Sequence, residues 1–338
     1  KHVESGTSFN TATGWMEVQK RIRKSNNWER MIKILSYAAA VLVPVFFVGI
    51  SLKYTTHDYF SNKSVLIAQP ILPGAAKAIL TLDNGETINL NKETADALQT
   101  IEGTNIQIDS TTLNYQLAQS TSVSPKPVYN KVEIPRGGEY ALVLSDGTKV
   151  HLNSMSSLRF PVAFTTGKRE VELQGEAYFE VSKTGQPFIV NANGMQVEVL
   201  GTTFNISAYP DEEYQTTLVN GSVKVSAEKG ESLILKPSQQ ATIALGSNSI
   251  QVRTVDTSFY TSWVKGKINF KDQRLEDIMK TLSRWYDMNV VYENEKLKNI
   301  RFGCNLNRYE EITPFVKLLE KTEEVHVKIE GNTITFHN

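Results

Sequence analysis

PGAAKAILTLDNGETINLN, residues Pro73–Asn91, returns 62 positions later as PRGGEYALVLSDGTKVHLN, residues Pro135–Asn153, without a gap. Pro, Leu, Leu, Gly, Leu and Asn are identical between the copies. Each copy reads as a strand, an Asn-Gly or Asp-Gly turn, and a second strand. That is a hairpin signal with both turn positions expected at φ > 0, and two hairpins of one type indicate a duplicated all-β unit. On either side the pattern is similar. Ile106, Ile108, Leu113, Tyr115 and Leu117 alternate with polar residues, the period-two sign of half-buried strands. Short strands then recur at Glu170–Leu173, Ala177–Val181, Phe188–Val190, Gln196–Leu200, Thr217–Leu218, Ser222–Val225 and Leu233–Leu235. Gly175, Gly185, Gly194, Gly221, Gly230 and Gly246 punctuate them. This spacing predicts a sandwich, barrel or solenoid and argues against alternating βα units.

The chain ends differently. Leu275, Ile278, Met279, Leu282 and Trp285 form one stripe of a helix between the strands Lys267–Phe270 and Met288–Tyr292. A second unit follows: strand Ile300–Asn305, a helix from Thr313 with Phe315, Leu318 and Leu319 inward, then strands Val325–Ile329 and Thr333–Phe336. Two βαβ-like units predict a small α+β domain over 263–338. Within it, Arg284 and Tyr286 are expected nearer the surface and are candidate partner-binding residues.

Near the other end, Ile34–Leu52 (ILSYAAAVLVPVFFVGISL) runs without a charge. As a helix it reaches roughly 29 Å, close to the hydrocarbon thickness of a bilayer, and Pro44 is tolerable in a spanning helix. Lys20, Arg21, Arg23, Lys24, Arg30 and Lys33 precede it, with only Lys53 and Lys63 close behind. This asymmetry places the N-terminal side in the cytoplasm. The apolar run is too long, and its flank wrong, for a cleaved signal peptide. The organisation expected is a basic cytoplasmic stub (1–33), a transmembrane helix (34–52), a juxtamembrane β region (53–128), a β domain (129–262) and the α+β domain (263–338). In the stub, Trp15, Val18 and Ile22 share one helical face, as a basic helix lying at the inner leaflet would or as a helix gripping a cytoplasmic partner would.

Composition excludes several functions. Lys plus Arg number 36, as do Asp plus Glu. Seven bases against three acids leave the stub at +4 and the remainder at −4, which argues against direct nucleic-acid binding by the exported part. Cys304 is the single cysteine, so no internal disulfide exists. His2, His57, His151, His326 and His337 show no metal-ligand spacing. No nucleophile elbow, Walker loop or zinc motif is present. No cofactor and no enzymatic activity on a separate substrate are expected.

Four stretches, LNSMSSLRFP (Leu152–Pro161), REVELQGEAYFEV (Arg169–Val181), PFIVNANGMQVEVLGTTFNISAY (Pro187–Tyr209) and TLVNGSVKV (Thr217–Val225), closely resemble the FecR family of membrane anti-sigma regulators. FKDQRLEDIMKTLSRWYDMNVVYEN (Phe270–Asn294) resembles the family's C-terminal module, itself similar to the signalling domain of secretins and TonB-dependent receptors. The resemblance implies a single-pass inner-membrane protein with periplasmic β-rich domains, and it favours a twisted solenoid. It also implies partners: an extracytoplasmic-function (ECF) sigma factor in the cytoplasm and the signalling domain of a TonB-dependent outer-membrane receptor. Some members split at the Gly-Thr bond of this motif, which makes Gly201 and Thr202 a candidate self-cleavage site. A membrane-tethered module binding glycan or envelope is the alternative.

Overall fold

A computed structural model describes residues 71–91, 107–108, 111–115, 127–165 and 167–338. Every described residue lies in one compact unit, Leu66–Asn338. The proposed span Ile34–Leu52 and the stub residues Trp15, Val18 and Ile22 lie outside the described residues. Among the described residues, no helix is long and apolar enough to cross a membrane.

The β region contains β1 (Ala75–Thr81), β2 (Thr87–Asn91), β3 (Gln107–Ile108), β4 (Thr112–Asn114), β5 (Tyr129–Glu133), β6 (Gly138–Val143), β7 (Lys149–Leu152), β8 (Ser157–Pro161) and β9 (Arg169–Glu180). After these come β10 (Phe188–Ala192), β11 (Met195–Val199), β12 (Thr203–Ala208), β13 (Tyr214–Asn220), β14 (Val223–Ala227), β15 (Ser232–Leu235), β16 (Gln239–Ile243) and β17 (Ile250–Thr254). One face of the structure is a sheet in the order β2-β1-β5-β8-β9-β10-β11-β14-β15. The other runs β3-β4-β6-β7-β9-β12-β13-β16-β17. Strand β9 belongs to both, joining them into one 17-stranded sheet folded over on itself. Inward side chains from both faces, including Leu80, Leu142, Phe160, Phe179, Phe188 and Phe204, form a single core cluster. Phe179 and Phe188 meet across it at 6.1 Å. Each such side chain contributes roughly 1.5–3 kcal/mol by leaving water.

The architecture is thus a two-sheet sandwich, and the solenoid expectation is corrected. A solenoid stacks its strands in parallel from coil to coil. Here parallel pairing in the sandwich is confined to β1–β6, β4–β6 and β9–β10, and successive antiparallel hairpins β10–β11, β12–β13, β14–β15 and β16–β17 alternate between the two sheets.

Both copies of the repeated sequence are hairpins, β1–β2 and β6–β7, one in each sheet. Their turns have the same bonds in the same places. Gly85 N–H donates to the Leu82 carbonyl and Leu82 N–H to Glu86; Gly147 N–H donates to Leu144 and Leu144 N–H to Thr148. Only the glycines have positive φ, 85° and 82°. The turns are therefore type I closed by a glycine bulge, not the doubly left-handed type expected. Asn84 and Asp146 instead accept from the backbone N–H two residues on, at 2.9 Å each.

A second correction concerns β9. Gly175 does not separate two strands but lies within one twelve-residue strand, where the chain passes from one sheet to the other. Its φ is +88°, and a Cβ there would lie 2.5 Å from Ser156 Oγ. Close approach and a left-handed backbone together require glycine.

The C-terminal module contains β18 (Lys267–Arg274), α1 (Leu275–Trp285), β19 (Asn289–Tyr292), β20 (Arg301–Asn307), α2 (Thr313–Glu320), β21 (His326–Glu330) and β22 (Thr333–His337). β18 pairs with β20; β22 lies between parallel β19 and antiparallel β21. The α1 stripe is buried throughout. Glu276 and Asp277 in its first turn and Arg284 in its last suit the helix dipole. In α2, Phe315, Val316 and Leu319 are buried, whereas Leu318 is 46% exposed, contrary to expectation. At about 100° per residue, Leu318 falls well outside the arc that the other three share.

Candidate functional site: a polar ring under the C-terminal module

Alternation along β9 turns Val171, Leu173, Ala177 and Phe179 into the core, so Glu176 belongs to the outer surface of the second sheet. Along β12 the same rule turns Phe204 and Ile206 inward and Asn205 outward. Yet Asn205 is 3% exposed and Glu176 is only partly exposed. The C-terminal module covers them.

Under that cover five residues close a hydrogen-bonded ring. Trp263 Nε1–H donates to Asn205 Oδ1 at 3.1 Å, and Asn205 Nδ2 donates to Glu176 Oε1 at 3.0 Å. Asn153 Nδ2 donates to the other carboxylate oxygen at 2.7 Å. Arg308, from the end of β20, donates through one nitrogen to Asn153 Oδ1 at 2.9 Å and through the other to the Trp263 carbonyl at 3.2 Å. Arg308 is 1% exposed. Its guanidinium lies 3.7 Å from the Trp285 ring centre and 5.5 Å from that of Trp263, within cation–π range. Trp285 Nε1–H donates back to the Arg308 carbonyl.

Burial pushes the Glu176 carboxyl above its usual range, while the two amides and the Arg284 and Arg308 charges pull it down. Burial likewise lowers the pKa of Arg308.

More bonds join module and sandwich around the ring. Gly137 N–H donates to the Arg284 carbonyl at 2.7 Å. Arg136 donates to the carbonyls of Ser283 and Met288 and pairs with Asp287 at 3.1 Å. Tyr309 donates to Glu139 at 3.0 Å. A Cβ on Gly74 would lie 2.7 Å from the Trp285 ring, so glycine lets the indole seat against the backbone. A cleft of about 710 Å³ opens beside the ring, its walls including Glu212, Arg253, Lys271 and Lys280.

The candidate residues fall in different places. Arg284 pairs with Glu212 and stacks on the Tyr209 ring at 3.9 Å, engaged inside the molecule. Tyr286 is 5% exposed and donates to the Glu310 carbonyl at 2.8 Å; the expectation that it lies near the surface is corrected, because α1 ends where the module meets the sandwich. Gly201 and Thr202 lie in the bend before β12 and take no part in the ring's hydrogen bonds. Thr202 is 5% exposed and its hydroxyl donates to the Ser222 carbonyl at 3.0 Å. Cys304 faces Phe270 across the β18–β20 ladder, and burial raises its thiol pKa to about 11. Among the described residues, no group of three His, Cys, Asp or Glu could hold a metal ion.

Sequence reasoning missed Asn153, Glu176, Asn205, Trp263 and Arg308. The first three lie inside the stretches that carry the family resemblance, which is the signal that could have found them.

The comparisons with known proteins fall on these same regions. Residues 130–224 match the family described as FecR protein, and residues 267–336 match FecR, C-terminal. Two crystal structures of a "putative anti-sigma factor" from Parabacteroides distasonis ATCC 8503, at 1.65 and 2.50 Å resolution, superpose with a TM-score of 0.57 each. They are 26% and 25% identical in sequence, cover 62% of this chain, and are themselves covered to 98% and 99%. No match to a curated protein is found.

Proposed function

We propose that this chain, a member of the FecR family, is an anti-sigma regulator that carries a signal across a membrane. The observation behind this is the ordered pair of FecR domains, together with the solved "putative anti-sigma factor" that covers 62% of this chain. In this reading Ile34–Leu52 crosses the inner membrane once with the N-terminus in the cytoplasm. The face bearing Trp15, Val18 and Ile22 contributes to holding an ECF sigma factor. The sandwich and module lie in the periplasm, where the signalling domain of a TonB-dependent outer-membrane receptor engages the module. The module's tight seat on the sandwich supports a relay in which engagement outside alters one docked body. The protein is a regulator and has no separate substrate.

Self-cleavage belongs to the same proposal. The Thr202 hydroxyl attacks the Gly201 carbonyl, and the C–N bond breaks to free the Thr202 amine. Water then hydrolyses the resulting ester, restoring the hydroxyl and leaving a Gly201 carboxylate. The halves would stay together, because β12 is paired on one side with β9, upstream of the bond, and on the other with β13.

Affinity purification of the complete tagged protein from its own membranes, with and without inducer, tests the reading. A sigma factor and a TonB-dependent receptor are expected to co-purify, and fragments ending at Gly201 should separate only under denaturing conditions. Recovery of glycan or envelope proteins with neither partner would favour a tethered binding module instead.

A further inference from the structure

Arg308 sits in a seat that the sandwich builds without it, completed by Trp263 of the connector. Because the Glu176 carboxylate only accepts, Asn153 and Asn205 must both turn their NH2 groups toward it. Their oxygens are thereby aimed outward, as fixed acceptors for donors arriving from the module side. Glu139, on β6, adds a carboxylate oxygen 3.4 Å from the guanidinium, and Trp263 contributes a carbonyl and a ring face. An outward amide oxygen, a carboxylate and an aromatic wall are the chemistry that recognises a planar guanidinium.

The fit of Arg308 is nonetheless incomplete. Its two hydrogen bonds go to neutral acceptors, and its nearest carboxylate is 3.4 Å away; Nε is buried without a partner in Arg308 and Arg169 alike. Arg169, the sandwich's own buried arginine, donates at 2.6 Å to Asp146 and also to the carbonyls of Ser182 and Gln186. An imperfectly compensated buried charge contributes little net stability, so Arg308 is replaceable. Glu139 keeps 22% of its side chain exposed, which leaves a side from which a competing cation can approach.

We propose that the sandwich and the connector after it carry a guanidinium-binding pocket, formed by Asn153, Glu176, Asn205 and Glu139 of the sandwich and Trp263 of the connector. Arg308 fills it in cis, and an arginine side chain on the activating protein partner displaces it. Displacement removes the contact that joins β20 to the sandwich and strips the guanidinium from the Trp285 ring face, 3.7 Å away. The module then leaves its seat. The partner step rests on the regulatory reading above; the pocket does not.

Chemical rescue in the full-length, detergent-solubilised protein tests it. Arg308→Ala is expected to speed limited proteolysis of the connector at residues 255–266 by about tenfold, equivalent to a loss of about 1.4 kcal/mol. Millimolar guanidinium ion or N-acetylarginine amide should restore protection, while methylammonium at equal ionic strength should not. Wild-type protection in Arg308→Ala, or equal rescue by methylammonium, overturns the pocket. Should Arg308→Ala not fold, wild-type protein titrated with N-acetylarginine amide gives the answer. Faster connector cleavage than with the lysine analogue is expected, and unchanged cleavage at saturation overturns displacement. A failed sigma-factor purification, by contrast, would remove the regulatory role and leave the rescue result standing.

Discussion

Arg169 and Arg308 are both 1% exposed, and they hold different kinds of structure together. Arg169, at the start of β9, clasps the Asp146 turn and the loop after β9 through one carboxylate and two carbonyls. Arg308 ties the module to the sandwich through neutral acceptors, with its nearest carboxylate at 3.4 Å. A buried charge with a directly bonded counter-charge is costly to break, whereas one held by dipoles is closer to break-even. The same side chain thus serves as a clasp inside a domain and as a releasable contact between two.

The largest test of this contrast is Asp146→Ala. It leaves Arg169 buried without its counter-ion and should cost roughly 3–5 kcal/mol in urea unfolding followed by far-ultraviolet circular dichroism. Arg308→Ala should cost only about 1–2 kcal/mol in the same assay; equal losses would erase the distinction.

Gly175→Ala comes next. Its Cβ would collide with Ser156 Oγ at a residue whose φ is +88°, so a loss of about 1–3 kcal/mol is expected. Because Glu176 N–H bonds to that Ser156 hydroxyl at 2.8 Å, the strain should reach the ring, and Trp fluorescence should shift along with stability. A stability loss without that shift would show ring and crossing point to be independent.

The smallest effect is a pH dependence. Burial lowers the pKa of His151 below its ordinary 6.5, partly opposed by Glu180 and Glu139. As pH falls through 6.5 the unfolded chain takes up a proton that the folded one refuses. Stability is therefore full above that value and lost as pH drops toward the folded pKa. His151→Gln should flatten this slope by under about 1 kcal/mol, measured as urea midpoints across the range. An unchanged slope would assign it to another group.

Much of this fold was legible because its signals are local. Asn84-Gly85 and Asp146-Gly147 announced two hairpins at their observed places, and the Leu275 to Trp285 stripe announced α1. The failures were of another kind. Gly175 looks like a strand break because a glycine inside a strand pattern interrupts it; only the change of partners, from β8 and β10 before it to β7 and β12 after it, shows that it marks a crossing. Glu176 and Asn205 fall on the polar side of alternating strands, and alternation has no way to say that a second domain covers that side.

The sequence by itself determined which segments become strands, turns and helices, since period, turn chemistry and side-chain shape act over a few residues. Only the tertiary structure decided which polar groups meet. Asn153 and Glu176 are 23 residues apart and Asn153 and Arg308 are 155 apart. A hydrogen bond depends on direction and on the exclusion of water: the first pair is aligned by two strands of one sheet, and the second arises only when the module settles on it.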